Sequence, residues 1–229
     1  MPIAGLENPQ ITEKIVTLIA AAVLVLQIAM VGQRWVVSNI RLFGAQSVLL
    51  AAAAAAIAYF NHAAHLYFAA ILMLLLKGIA VPVALERLVE RIGIRREIEP
   101  LVNVPVSLVI SGALTLVAYV VAASVRHDAH PAAPGSGHNT LAVAISLFLI
   151  GFFMMLNRRK ALTQVLALLS LENGVFLAAV SLTYGMPLIV EVGVFFDVLV
   201  AVMVLGILVY QIRENFESMD VSKLRRLRG

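Results

Sequence analysis

The sequence predicts an all-α polytopic membrane protein with about seven transmembrane helices, its N-terminus outside and its C-terminus in the cytoplasm. Three observations carry that expectation. Of the 229 residues, 62% are hydrophobic and 13% charged, and the mean hydropathy is +0.98. The apolar residues recur in runs close to the ~20 residues needed to cross a hydrocarbon core ~30 Å thick. The basic residues also fall into a pattern that an odd number of spans explains.

The runs occupy residues 14–33, 36–60, 64–86, 104–125, 140–156, 160–183 and 187–212. Ahead of the first stand Glu7 and Glu13 with no basic residue, so the positively charged leader of a cleavable signal is missing and this helix is expected to stay in the mature protein. With seven spans, Arg34, Arg87, Arg91, Arg95, Arg96, Arg158, Arg159, Lys160, Arg213, Lys223, Arg225, Arg226 and Arg228 share one side, leaving Lys14 and Arg126 on the other. Six or eight spans would scatter them. The positive-inside rule makes the crowded side cytoplasmic. The chain then divides into a three-helix unit with a cytoplasmic connector (1–103), a linking helix with an outside loop (104–139), and a second three-helix unit with a basic tail (140–229).

The second run carries Arg41, Gln46 and Ser47, then the small residues Ala51 to Ala56, which let helix backbones approach closely in lipid. Arg41 lies about 10 Å from the basic edge, within reach of the headgroups by snorkelling. In the third run Lys77 is about 15 Å deep, too far for easy snorkelling. It adjoins Gly78 and precedes Pro82 by five residues. A proline cannot donate to the carbonyl four residues back, so a freed acceptor and a kink are expected beside the lysine. Lys77 can serve insertion by pairing with an acid, serve a proton relay, or do both.

The connector from Glu86 to Pro100 alternates charges and reads as a solvated, headgroup-facing surface. The outside loop contains His127, His130 and His138 among Gly, Pro and Ser; without thiolates or rigid spacing it reads as a flexible loop rather than a metal site.

Two apolar runs joined by the turn Thr183–Pro187 close the chain as a hairpin. Glu172 lies about 18 Å from Lys160 along the first, and Asp197 about 24 Å from Arg213 along the second, with Glu191 higher at about 33 Å. A charged group at such depth costs at least about 2.5 kcal/mol on insertion scales and persists when it faces a partner, a cavity or another helix. Proton uptake and release is the function this placement suggests; the alternative is an acid that only hydrogen-bonds between helices. A shift of the sequence by 126 residues places Arg34 on Lys160, Gln46 and Ser47 on Glu172 and Asn173, His65 on Glu191, and Arg87 on Arg213. Such a parallel repeat would put the acids in the second copy and the lysine in the first.

Leu169-Ser-Leu-Glu172-Asn-Gly174, then Pro187-Leu-Ile-Val-Glu191-Val-Gly193, Phe196-Asp197, Leu205 and the tail Met219–Arg225 resemble the hydrogenase-4 component E family. Ala45–Val48 and Lys77–Pro82 are similar to that family's second and third helices. The hairpin is more distantly similar to the K subunit of respiratory complex I, with Glu172 on its first functional glutamate and Asp197 nearest its second. In this chain the second acid is an aspartate and the hairpin is shorter. The resemblance implies a membrane-arm subunit of an energy-converting [NiFe] hydrogenase or formate hydrogenlyase, in the cell inner membrane. It further implies antiporter-like and quinone-chamber-like membrane neighbours and a cytoplasmic hydrogenase-type module. The NiFe centre and iron–sulfur clusters would belong to those partners.

The absences agree with that division of labour. The chain has no cysteine, so it offers no thiolate to a cluster. His62 and His65 lie at an outer helix end, no deep histidine pair suits a haem, and no phosphate-binding glycine loop occurs. The basic residues are accounted for by topology, which leaves no signal for nucleic acid. The reading is a subunit with no cofactor and no catalytic centre of its own, whose Lys77, Glu172, Asp197 and Glu191 relay protons with support from Arg41, Gln46, Ser47, Pro82 and Asn173. Alternatives from other classes are a subunit of a cation/proton antiporter without a redox module and a structural spacer embedded in lipid.

Overall fold

In lipid every backbone N–H and C=O must find a partner inside the protein, and apolar runs meet that demand as helices. The computed structural model describes residues 9–60, 64–92, 101–128, 138–183 and 206, and its regular elements are all helical among them. They are α1 (Pro9–Gly32), α2 (Val36–Phe60), α3 (Ala64–Met73), a π-helical segment (Leu74–Ala80), α4 (Val81–Ile92), α5 (Val104–Asp128), α6 (His138–Asn157) and α7 (Ala161–Thr183). Helix α3, the π segment and α4 run on without a break, so six continuous helices among the described residues are long and apolar enough to cross a membrane. The chain is a multi-pass membrane protein. The seventh expected run, with Glu191 and Asp197, lies outside the described residues, as do most of the charged connector and the histidine loop.

Successive helices are antiparallel, so the ends near Gly32, Val36, Ile92, Val104, Asn157 and Ala161 gather at one level, the basic end. Two side chains tie that level together. The Arg158 guanidinium, 3% exposed, donates to the carbonyls of Met30 and Val31 at 3.3 Å and of Gln33 at 3.4 Å. It thereby satisfies acceptors that the C-terminus of α1 leaves open, where a positive charge also complements the helix dipole. Asn157 accepts at Oδ1 from the backbone N–H of Val102 (2.8 Å) and donates to Ser107 Oγ (3.1 Å), which fixes the entry of α5. Arg158, one of the charges expected to mark topology alone, is thus also an internal helix cap.

The disturbance expected at Lys77 takes a definite form. The π segment adds a residue to the local turn, and its last bond runs from the Val81 N–H to the Leu76 carbonyl. Pro82, which has no N–H, follows directly, and the helix resumes α geometry around it. Opposite this segment α2 comes close. A Cβ at Gly44 would stand 3.2 Å from Pro82 Cγ, and one at Gly78 3.2 Å from Val48 Cγ2, so the two glycines set the depth of the crossing. Helices α6 and α7 approach closer still. A Cβ at Gly151 would meet the Leu171 backbone at 2.8 Å, and one at Gly174 the Phe148 nitrogen at 2.7 Å.

Buried apolar side chains form two clusters stacked along the helices. The one toward the basic end takes Met30 from α1, Phe43 from α2, Leu85 from α4, Met154 from α6 and Leu166 from α7. The other takes Val23 from α1, Leu50 and Ala54 from α2, Met73 from α3, Leu147 from α6 and Phe176 from α7. The alanine run of α2 contributes to this second cluster, as small residues at a helix crossing should. Leu18, Phe68, Val109, Leu116 and Val120 point outward and are at least 65% exposed, the apolar surface that a bilayer covers.

Candidate functional site

Along each of four paths through the bundle, the gap between the two apolar clusters is filled by polar residues. In α1 it holds Gln27, in α2 Gln46 and Ser47, in the π segment Lys77, and in α7 Ser170, Glu172 and Asn173. All of these are essentially inaccessible. A polar layer closed above and below by packed hydrocarbon lies across the middle of the molecule.

Its charged part is an ion pair. Lys77 Nζ stands 3.0 Å from Glu172 Oε2, and the two side chains are 2% and 1% exposed. The pair joins the third span to the sixth. Each member alone would be a costly buried charge; together they carry no net charge. A proton passing between ammonium and carboxylate over this contact leaves the site neutral before and after. A proton gained or lost from outside leaves the site charged, and the dry surroundings make that charge felt strongly by neighbouring groups. This is the physical basis on which the pair can couple proton occupancy to charges elsewhere.

Beside the pair lies a neutral network. Asn173 Nδ2 donates to Gln46 Oε1 (3.2 Å) and Ser47 Oγ (3.3 Å). Gln46 Nε2 donates to Gln27 Oε1 at 2.8 Å, Ser170 Oγ donates to the same oxygen, and Gln27 Nε2 points to Met154 Sδ at 3.5 Å. Helices α7, α2, α1 and α6 are thereby linked in turn at one level.

The residues singled out from the sequence are distributed as follows. Lys77 and Glu172 are brought together, and Gln46, Ser47 and Asn173 form one cluster with them at the same level. Ser47 and Asn173, superposed by the 126-residue shift, touch each other. Pro82 lies at the crossing with α2 and packs toward Gly44. Arg41 stands apart. Its Nε donates to Glu86 Oε1 at 2.9 Å near the basic end, with side chains 73% and 32% exposed. Asp197 and Glu191 lie outside the described residues.

Sequence reasoning passed over Gln27, Ser170 and Arg158. The available signal for the first two was a polar residue interrupting an apolar run at the depth of Gln46 and Glu172. Among the described residues no group of three or more His, Asp or Glu is placed to hold a metal ion.

Residues 139–229 match the family model of the NADH-ubiquinone/plastoquinone oxidoreductase chain 4L, which covers α6, α7 and the remainder of the chain. The uncharacterized protein Rv0085 of Mycobacterium tuberculosis is 39% identical over 159 residues, 69% of this chain and 70% of that protein. Hydrogenase-4 component E of Escherichia coli is 34% identical over 89 residues, 39% of this chain and 41% of that protein, and the Shigella flexneri protein of the same name matches equally. This chain thus aligns with less than half the length of the component E proteins. No solved structure matches the chain. As the motifs around Glu172 anticipated, the C-terminal region matches chain 4L, the chain is similar to hydrogenase-4 component E, and it belongs to the same family as Rv0085.

Proposed function

We propose that the protein is a membrane-arm subunit of a multisubunit energy-converting hydrogenase or a related complex I-like oxidoreductase, and that it contributes a buried charged relay to proton translocation driven by electron transfer in partner subunits. The observation that carries this reading is the buried Lys77–Glu172 pair, 3.0 Å apart between two apolar clusters. An intramembrane pair of ionisable groups that face each other is what a proton relay requires. Glu172 lies within residues 139–229, which match the chain 4L model, and this together with the similarity to hydrogenase-4 component E supports the assignment to a redox-driven complex.

In this reading Lys77 and Glu172 exchange or share a proton, Asp197 and Glu191 extend the polar line on the following helix, and Gln46, Ser47 and Asn173 support it. Arg41, paired with Glu86 at the basic end, is the group nearest to cytoplasmic water. Antiporter-like and quinone-chamber-like membrane subunits flank the chain, and a cytoplasmic module carries the NiFe centre and iron–sulfur clusters. The chain spans the cell inner membrane seven times, with the N-terminus outside and the basic tail in the cytoplasm, as the sidedness of the Lys and Arg residues supports.

Two experiments test the assignment. Purification of the tagged full-length chain from native membranes should bring down metal-containing hydrogenase-type subunits in fixed proportion; antiporter-like subunits with no redox partner would overturn it. Reporter fusions at Gly135 and Gly229 should report opposite compartments, and finding both on one side would overturn the seven-span orientation.

A further inference from the structure

Glu172 meets Lys77 only if α7 is held at the right rotation about its axis. Two of its neighbours on that helix, Ser170 and Asn173, are three residues apart and so share one face. Both are bonded to α1 and α2: Ser170 to Gln27, Asn173 to Gln46 and Ser47. Glu172 is offset from Asn173 by one residue, about 100° around the helix. The face bearing Gly174 is pressed against the α6 backbone at Ala144 and Phe148. Ser170 and Gly174, four residues apart, adjoin on one side of α7, so at one level that side is engaged by hydrogen bonds and backbone contact and the side bearing Glu172 by the ion pair.

The neutral network has no titratable member, and its last donor ends on the thioether of Met154. A hydrogen-bond chain that ends on a thioether has no group to which a proton can be passed, so its role is orientation rather than conduction.

We infer that Gln27 and Ser170 are positioning residues: through the Gln27–Gln46–Ser170–Asn173 network they lock the rotation of α7 and so hold Glu172 against Lys77. The inference rests on the proposed relay, but its test does not use proton pumping. The full-length chain in lipid nanodiscs is titrated while the infrared carboxyl bands are recorded, with Glu172→Gln identifying the band of Glu172. Ser170→Ala and Gln27→Leu should each shift the titration midpoint of that band by about tenfold or more in proton concentration, because the 3.0 Å contact with Lys77 is altered. Ser170→Thr, which keeps the hydroxyl, should retain the wild-type midpoint, and Arg41→Gln should do the same.

Identical Glu172 behaviour in the wild type and both disrupting variants, whether titrating or silent, would overturn the positioning role. A second measurement covers loss of folding in either variant. The chain has no cysteine, so nitroxides placed singly at Leu168, Leu171, Val175 and Ala178, positions of α7 that are partly or fully exposed, report which face of α7 meets lipid. In the wild type oxygen accessibility should peak at Val175, the exposed position of that segment. Adding Ser170→Ala should move the peak; an unmoved peak overturns the lock. If the Glu172 band responds as expected while Glu172→Gln leaves pumping intact, the relay reading fails and the positioning role stands.

Discussion

Among the described residues, two ion pairs of almost the same length stand in opposite surroundings. Arg41 and Glu86 meet at 2.9 Å with 73% and 32% of their side chains exposed, whereas Lys77 and Glu172 meet at 3.0 Å with 2% and 1% exposed. Distance alone would rank them as equals. The exposed pair is screened and contributes about 0–1 kcal/mol. The buried pair has given up its hydration, so its net worth is small or even unfavourable while it is intact, and the loss of one partner is severe. A group kept at such a cost is better explained by what it does than by the stability it supplies.

That contrast orders the expected effects of substitution. Lys77→Ala removes the ammonium that stands 3.0 Å from the buried Glu172 carboxylate and should destabilise the protein by about 3–5 kcal/mol, read as loss of the folded species in detergent thermal-shift assays. The double change Lys77→Met with Glu172→Met replaces the pair by hydrocarbon of similar size and should recover stability to about the wild-type level or above it, while proton coupling stays lost. Recovery of stability without function would separate the two roles cleanly; failure to recover would mean that the pair is also a structural requirement.

Steric changes at the same level come next. Gly174→Ala and Gly151→Ala each force a Cβ to within 2.7–2.8 Å of backbone atoms on the facing helix, where a side chain cannot swing aside. Each should cost about 1–3 kcal/mol by overpacking, measured by the same thermal assay. Gly112→Ala, whose Cβ would meet nothing within 4 Å, is the matched control. The smallest effect belongs to Arg41→Ala, which should change stability by less than about 1 kcal/mol, with any difference fading as salt is added. A loss at Arg41 as large as that at Lys77 would erase the distinction between the pairs.

The helices were legible because lipid imposes a strong length and hydropathy constraint. The run expected at 36–60 is α2 from Val36 to Phe60, and the third run continues past Glu86 to Ile92 because charged residues can extend a helix beyond the hydrocarbon. Depth was legible too, which put Lys77 and Glu172 at a common level. Depth does not say which helices are neighbours, so the contact of Lys77 with Glu172 became clear only from the fold. Pro82 signalled a disturbance beside Lys77 but not its π form, because Leu74–Ala80 fits α and π spacing equally well as a string of apolar residues around one lysine. Gln27 and Ser170 were missed because a neutral side chain hardly alters a hydropathy profile, although burial makes its hydrogen bonds specific. Arg158 was read by its charge, which marks topology, while its geometry makes it a cap for α1.

In the proposed relay, Glu172 changes its proton occupancy during turnover. Glu172→Gln keeps the volume and much of the hydrogen bonding at that position but removes the exchangeable charge. The direct test is proton translocation by the intact complex reconstituted in vesicles, recorded together with electron-transfer rate and subunit content. The account predicts a Glu172→Gln complex that assembles normally and has lost redox-driven proton movement. A fully assembled Glu172→Gln complex that translocates protons at the wild-type ratio to electrons would contradict it.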